Sequence, residues 1–108
     1  MIEIKVKPLS QNRAFFGRHF LTKEARDYME TIQWLLPKIK IPEGKLAVKL
    51  KFYLSSKNAD ADNPTKMFVD CLQKKYGFND RMIYHYDIEK IDVKKGQERI
   101  EFQIDKYQ

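Results

Sequence analysis

Leu46-Ala47-Val48-Lys49-Leu50-Lys51-Phe52-Tyr53-Leu54 alternates from end to end. Leu46, Val48, Leu50, Phe52 and Leu54 fall on one side. Lys45, Lys49, Lys51 and Tyr53 fall on the other. A period of two held over nine residues is that of a strand with one wet and one buried face. The buried side needs a cover, and the flanking sequence supplies two helices. Upstream, Thr22 is placed to cap a helix with Glu24 in its first turn. Ala25, Tyr28, Met29, Ile32, Leu35 and Leu36 then follow helical spacing until Pro37 stops it. Trp34 lies off that stripe, which leaves it for a partner subunit or a loop. Pro42-Glu43-Gly44 turns the chain into the strand. Downstream, Asn63 reads as a cap and Pro64 as the first helical residue. Phe68, Cys71, Leu72 and Tyr76 form the inner stripe, and Gly77 suits the helix end.

The outer segments complete the pattern. Ile2, Ile4 and Val6 alternate with charged residues up to Pro8, giving a first strand. Residues 8–21 show no period and read as a long loop carrying Arg13, Phe15, Phe16, Arg18, His19 and Phe20; loops of that length in small domains usually serve function. Met82 to Val93 is extended, with a phase slip between Ile88 and Ile91 that suggests a bulge. Lys95-Gly96 turns the chain, and Ile100, Phe102 and Ile104 form a last strand, expected to pair back as a hairpin. The order is β-α-β-α-β-β: an α/β (α+β) fold, one domain over residues 1–108, with a mixed sheet packed against two helices.

Charge is unevenly spread. The net charge is +6, but residues 1–57 hold 12 Lys/Arg against 5 Asp/Glu, whereas residues 58–108 hold 9 against 10. A basic half suits a polyanion, because neutralising phosphates releases condensed counterions; the same excess also serves solubility alone. No apolar run is long enough to span a bilayer, and the N-terminus lacks the apolar core of a signal peptide. A single cysteine, Cys71, forbids an internal disulfide, so a reducing cytoplasm is the expected setting and no membrane partner is expected. Gly-rich phosphate loops, Ser/His/Asp arrangements and Cys/His metal spacings do not occur, which argues against ATP hydrolysis, acyl transfer and a zinc finger.

The acidic interruption is Asp60-Ala61-Asp62-Asn63-Pro64-Thr65-Lys66, followed by Asp70 and Asp80. On an extended segment leaving the central strand, Asp60 and Asp62 project from one face. Two carboxylates so close repel unless a cation lies between them, and hard oxygen donors suit Mg²⁺ or Mn²⁺. Asp80 can rejoin the pair if the second helix folds back. Lys66, in the first turn, could stabilise charge on a phosphodiester, beside a helix N-terminus that favours anions. Each residue also has a plain alternative. Asp62 could precede a cap, Lys66 could pair with Asp62 or Asp70 at four-residue spacing, Asp70 could be solvated, and Asp80 could be a turn residue.

The run D-x-D-N-x-x-K-x-x-x-D-x-L, then G-F-x-D and an apolar strand, resembles the RusA-type Holliday-junction resolvases. It is carried by Asp60, Asp62, Asn63, Lys66, Asp70, Leu72, Gly77, Phe78, Asp80 and Ile83. Asn12-Arg13 with Phe15, Phe16, Arg18 and His19 also resembles that family's first loop. The resemblance implies a Mg²⁺-dependent endonuclease of DNA recombination and repair. It further implies a homodimer that binds four-way junctions and nicks two strands symmetrically. It makes Asp60, Asp62 and Asp80 catalytic metal ligands, Lys66 the catalytic lysine, and Asp70 a further acidic position.

Beside the acids, Arg13 and Arg18 read as phosphate contacts, with at least one nearby phenylalanine used as a core plug. Lys49 and Lys51 could line a DNA channel or be an ordinary wet sheet face, and Lys57 is the basic residue just ahead of Asp60. Lys74-Lys75 reads as a solvated helix end, His85 as structural and Cys71 as core. Two rival functions remain open: a basic nucleic-acid-binding domain without catalysis, and a nuclease for other branched DNA. The co-occurrence of Asp60, Asp62, Lys66 and Asp80 favours cleavage, since a binder needs none of them.

Overall fold

A computed structural model describes residues 1–9, 15–16, 20–56 and 62–108, and of residues 15, 16, 20, 21, 62 and 63 the backbone alone. The elements are β1 (Ile2–Ile4), β2 (Phe15–Phe16), β3 (Phe20–Leu21), α1 (Lys23–Leu35), β4 (Leu46–Leu54), α2 (Asp62–Tyr76), a short 3₁₀ turn (Asp80–Met82), β5 (Ile83–Asp92) and β6 (Arg99–Lys106). The expected α+β class holds: a four-stranded mixed sheet in the order β1-β6-β4-β5, with two helices. No helix among the described residues is long and apolar enough to cross a membrane.

β4 is central and buries the predicted alternate set: Leu46, Val48, Leu50, Phe52 and Leu54 are all in the core. β5 runs parallel to it, a pairing that requires a crossover, and α2 supplies it. Phe68 of α2 is fully buried and meets Phe52 and Phe102 edge-on, at centroid distances of 6.4 and 5.6 Å. Gln33 of α1 donates from Nε2 to the Cys71 carbonyl at 3.0 Å, tying the helices together. Cys71 is wholly buried, as expected, and burial pushes its thiol up to about 12.

The start of α1 follows the sequence: Thr22 caps it, its hydroxyl accepting from the Ala25 N–H at 3.1 Å. Its end differs by one side chain. Leu36, already extended, turns into the core, and Leu35 is 43% exposed instead of buried. Trp34 is 83% exposed.

Four other expectations are corrected. Residues 8–21 are not all loop: β2 and β3 pair antiparallel, Phe15 opposite Leu21 and Phe16 opposite Phe20. The last two strands do not form a hairpin. The turn is there, with Gly96 at φ 96° and Gln97 N–H donating to Lys94 at 3.0 Å. The chain then passes over the end of β4, where Val93 N–H reaches the Leu54 carbonyl and Ser55 Oγ reaches Glu98. β6 therefore enters between β1 and β4. There Ile100 and Phe102 lose all exposure, which pairing outside β5 would not give them. β5, with mostly exposed positions and several charges, takes the edge, where such residues are tolerated. The bulge is not at Ile88–Ile91, which pair regularly. It lies at the start of β5: Ile83 faces Leu46 and His85 faces Ala47, leaving Tyr84 as the extra residue. Finally, α2 begins at Asp62, ahead of Asn63 and Pro64. Pro64 is still in the first turn, where its missing N–H has no helical partner to lose.

Candidate metal centre

The start of α2 changes the geometry expected of its acids. The backbone of Asp62 is helical, not extended. On the helix, Asp62, Lys66 and Asp70 recur every four residues and form one stripe. Asp60 lies outside the described residues, as do Arg13, Arg18 and Lys57, and only the backbone of Asp62 is described.

The second half of the constellation is assembled. Thr65, Lys66, Val69, Asp70, Asp80 and Tyr86 line one hollow of about 240 Å³ between α2 and the β5 edge. Asp80 gets there as the first residue of the 3₁₀ turn that follows α2. Asn79 holds that turn, its Oδ1 accepting from the Arg81 N–H at 2.9 Å and its carbonyl from the Met82 N–H at 2.9 Å. Asp80 is therefore a turn residue that also lines the hollow. Tyr86 reaches the hollow because it faces Val48 in the parallel register, which puts it on the helix side of the sheet.

One side chain joins the two acids. Gln73 donates from Nε2 to Asp70 Oδ1 at 3.3 Å, and its Oε1 accepts from the Asp80 N–H at 2.7 Å. It thus fixes the end of the helix stripe to the turn that carries Asp80. Gln73 was missed in the sequence, although its spacing of three from Asp70 is a helical neighbour signal. Tyr86 was missed too, and no local signal marks it: only the register of β5 on β4 brings it in.

Electrostatics fit a cation here. Burial raises the Asp70 pKa; the Lys66 ammonium pulls it down, and the Asp80 carboxylate pushes it up. Tyr86 is also raised, by burial first and then by Asp80 and Asp70. A half-buried carboxylate repelled by a second one is relieved by a divalent ion, and carboxylate oxygens are hard donors of the type Mg²⁺ or Mn²⁺ takes. Asp70 and Asp80 are two ligands at most: among the described residues no group of three or more His, Cys, Asp or Glu side chains could hold a metal. The oxygen donors present fit such an ion.

Lys49 and Lys51 stand elsewhere. Their partners across the sheet are Asp87 and Gln103 for Lys49, and Glu89 and Glu101 for Lys51, on the face away from the helices. The basic, aromatic surface expected from β4 alone is therefore of mixed sign. Tyr53 on that face donates to Glu101 and lies under Arg99, whose guanidinium carbon is 3.7 Å from the ring centroid. Arg99 in turn pairs with Glu3 at 3.1 Å. His85 faces the same way, opposite Ala47 and away from the hollow.

The family model described as endodeoxyribonuclease RusA matches residues 5–105. The comparison with curated proteins returned no match.

Proposed function

The chain belongs to the RusA endodeoxyribonuclease family, and on that premise we propose that it is a Mg²⁺-dependent, structure-selective endonuclease that resolves four-way DNA junctions by paired symmetric nicks. The observation that carries this reading is the hollow in which Lys66, Asp70 and Asp80 meet, with Gln73 bridging the two acids. A domain that only held DNA would gain nothing from gathering carboxylates, which repel phosphate.

Asp60, Asp62 and Asp80 are the proposed ligands, with Asp70 as a further one; Mn²⁺ should serve as well as Mg²⁺. A bound divalent cation supplies positive charge against the scissile phosphate and lowers the pKa of water. Lys66 is the proposed cation that steadies charge gathering on the phosphate oxygens. Gln73 holds Asp70 and Asp80 at a fixed separation. Tyr86 walls the hollow toward the sheet.

Arg13, Arg18, Lys49, Lys51 and Lys57 are the proposed phosphate contacts. Lys49 and Lys51 have acids opposite them, so their share of the binding should be smaller. A four-way junction is two-fold symmetric, so a homodimer with one site per subunit suits paired cuts. Exposed Trp34 and the short edge strand β1 are the proposed interface. The proposed setting is the cytoplasm, in recombination and repair.

The test is a synthetic four-way junction incubated with the protein in Mg²⁺, Mn²⁺ and Ca²⁺. Cutting is expected with Mg²⁺ or Mn²⁺ and not on linear duplex. Asp62→Asn should abolish cutting while binding persists or tightens, because repulsion from phosphate falls. Junctions that are bound but left intact with Mg²⁺ and Mn²⁺ would make the chain a binding module. Equal cutting of linear duplex would remove the junction selectivity.

A further inference from the structure

Tyr84 is the extra residue of the β5 bulge, and a bulge turns a side chain out of the regular alternation. Its ring is turned toward Tyr107, which follows β6. The two rings are 5.7 Å apart and inclined by 33°. Tyr107 is anchored by its N–H, which donates to the Lys45 carbonyl at 2.9 Å, and Lys45 Nζ lies 4.7 Å over the Tyr84 ring. Three separate strand ends thus deliver two rings and an ammonium to one spot. Both rings stay open to solvent, Tyr84 at 54% and Tyr107 at 40%.

The core gains little from rings so exposed. Lys45 gives the spot its cation. Lys106, next to Tyr107 in the chain, lines a separate groove with Lys40 and Glu43. Asp105, the near acid, accepts a hydrogen bond from Gln103. The other acids of this face, Asp87, Glu89 and Glu101, lie farther along the strands. A nucleotide offers the two matching groups at neighbouring positions: a flat base for the tyrosine face and a phosphate for the ammonium. The spot lies across the β5 edge from the hollow, on the other face of the sheet. Tyr84 follows Asp80 by four residues, at most about 14 Å of chain.

We propose that Tyr84, Tyr107 and Lys45 form a stacking platform for one unpaired or splayed nucleotide of branched DNA, on the sheet face opposite the hollow. The inference rests on the nuclease reading only for the identity of its DNA. The platform captures a base at the branch, where stacking is already interrupted, and Lys45 takes the adjoining phosphate. Paired duplex offers no free base face, so the platform adds affinity for branched over linear DNA.

The test measures binding and cutting apart. Binding is read in Ca²⁺ with a four-way junction carrying 2-aminopurine at the branch point, and with a linear duplex of the same sequence. Tyr84→Ala and Tyr107→Ala should each weaken junction binding at least about fivefold, with loss of the 2-aminopurine response. Tyr84→Phe should bind as the unaltered protein does, because stacking needs the ring and not the hydroxyl. Lys45→Gln should weaken binding and lower its salt dependence by about one counterion. The single-turnover rate of cutting at saturating protein should stay within about threefold of the unaltered protein's, since affinity and not chemistry is altered. Melting curves identify any variant that fails to fold, and Lys45→Gln, which spares both rings, then decides. Junction binding unchanged in the alanine variants would overturn the platform. So would an equal loss on linear duplex. If the unaltered protein binds but never cuts, while the alanine variants still lose junction binding, the nuclease reading fails and the platform stands.

Discussion

Asp70 carries the clearest mark of a cation site, because its charge is unwelcome in the protein alone. Its folded pKa is raised by burial, and by Asp80 against the pull of Lys66. A raised carboxylate pKa means that ionisation destabilises the fold. The penalty is absent below the unfolded pKa and grows as pH rises through the folded one. Asp70→Asn should therefore raise the melting temperature of metal-free protein at neutral pH, with the gain vanishing as pH falls into the carboxylate range. Adding Mg²⁺ should reverse the order, stabilising the unaltered protein more than the variant. A melting curve in EDTA and in Mg²⁺ at two pH values checks both. Gln73 makes a separate prediction. Its two hydrogen bonds hold the acids in register, and partners of this kind are typically worth ten- to a hundredfold in metal affinity or activity. Gln73→Met keeps size and helix propensity. It should raise the Mg²⁺ concentration for half-maximal cutting by roughly tenfold or more, with little change in junction affinity.

At the scale of elements, the sheet positions the site through α2. Phe68 is the pin: it is fully buried between Phe52 of β4 and Phe102 of β6. Phe68→Ala should cost about 3–5 kcal/mol, measured by urea unfolding. Most elements could be read before any coordinates, because β4, α1 and α2 bury one face each and a buried face writes its period into the sequence. What could not be read is long-range. Whether β6 pairs with β5 or with β4 is decided by which neighbour buries Ile100 and Phe102, and no local pattern encodes that choice. The bulge is similar: the phase slip between Ile88 and Ile91 pointed to the wrong place, and the register shift falls at Tyr84. Lys66, Asp70 and Asp80 were legible by residue type and spacing. Their clamp Gln73 was legible only in hindsight, and Tyr86 only through the parallel register.

The whole molecule has two unlike faces. The helix side carries the hollow with Lys66, Asp70 and Asp80. The open side of the sheet carries Asp87, Glu89 and Glu101 around Lys49 and Lys51, and is a rival place for a cation to collect. Only the first has a half-buried carboxylate, Asp70, tied through Gln73 to the backbone of a second acid, Asp80. The central claim is that α2 and the turn before β5 together grip a divalent ion. Titration with substoichiometric Mn²⁺, followed by paramagnetic broadening of backbone amide resonances, tests it directly. The account predicts that Lys66, Asp70, Asp80 and Tyr86 broaden first, that Lys51, Glu89 and Glu101 stay sharp, and that Asp80→Asn removes the effect. Broadening centred on Glu89 and Glu101, or spread evenly over both faces, would contradict it.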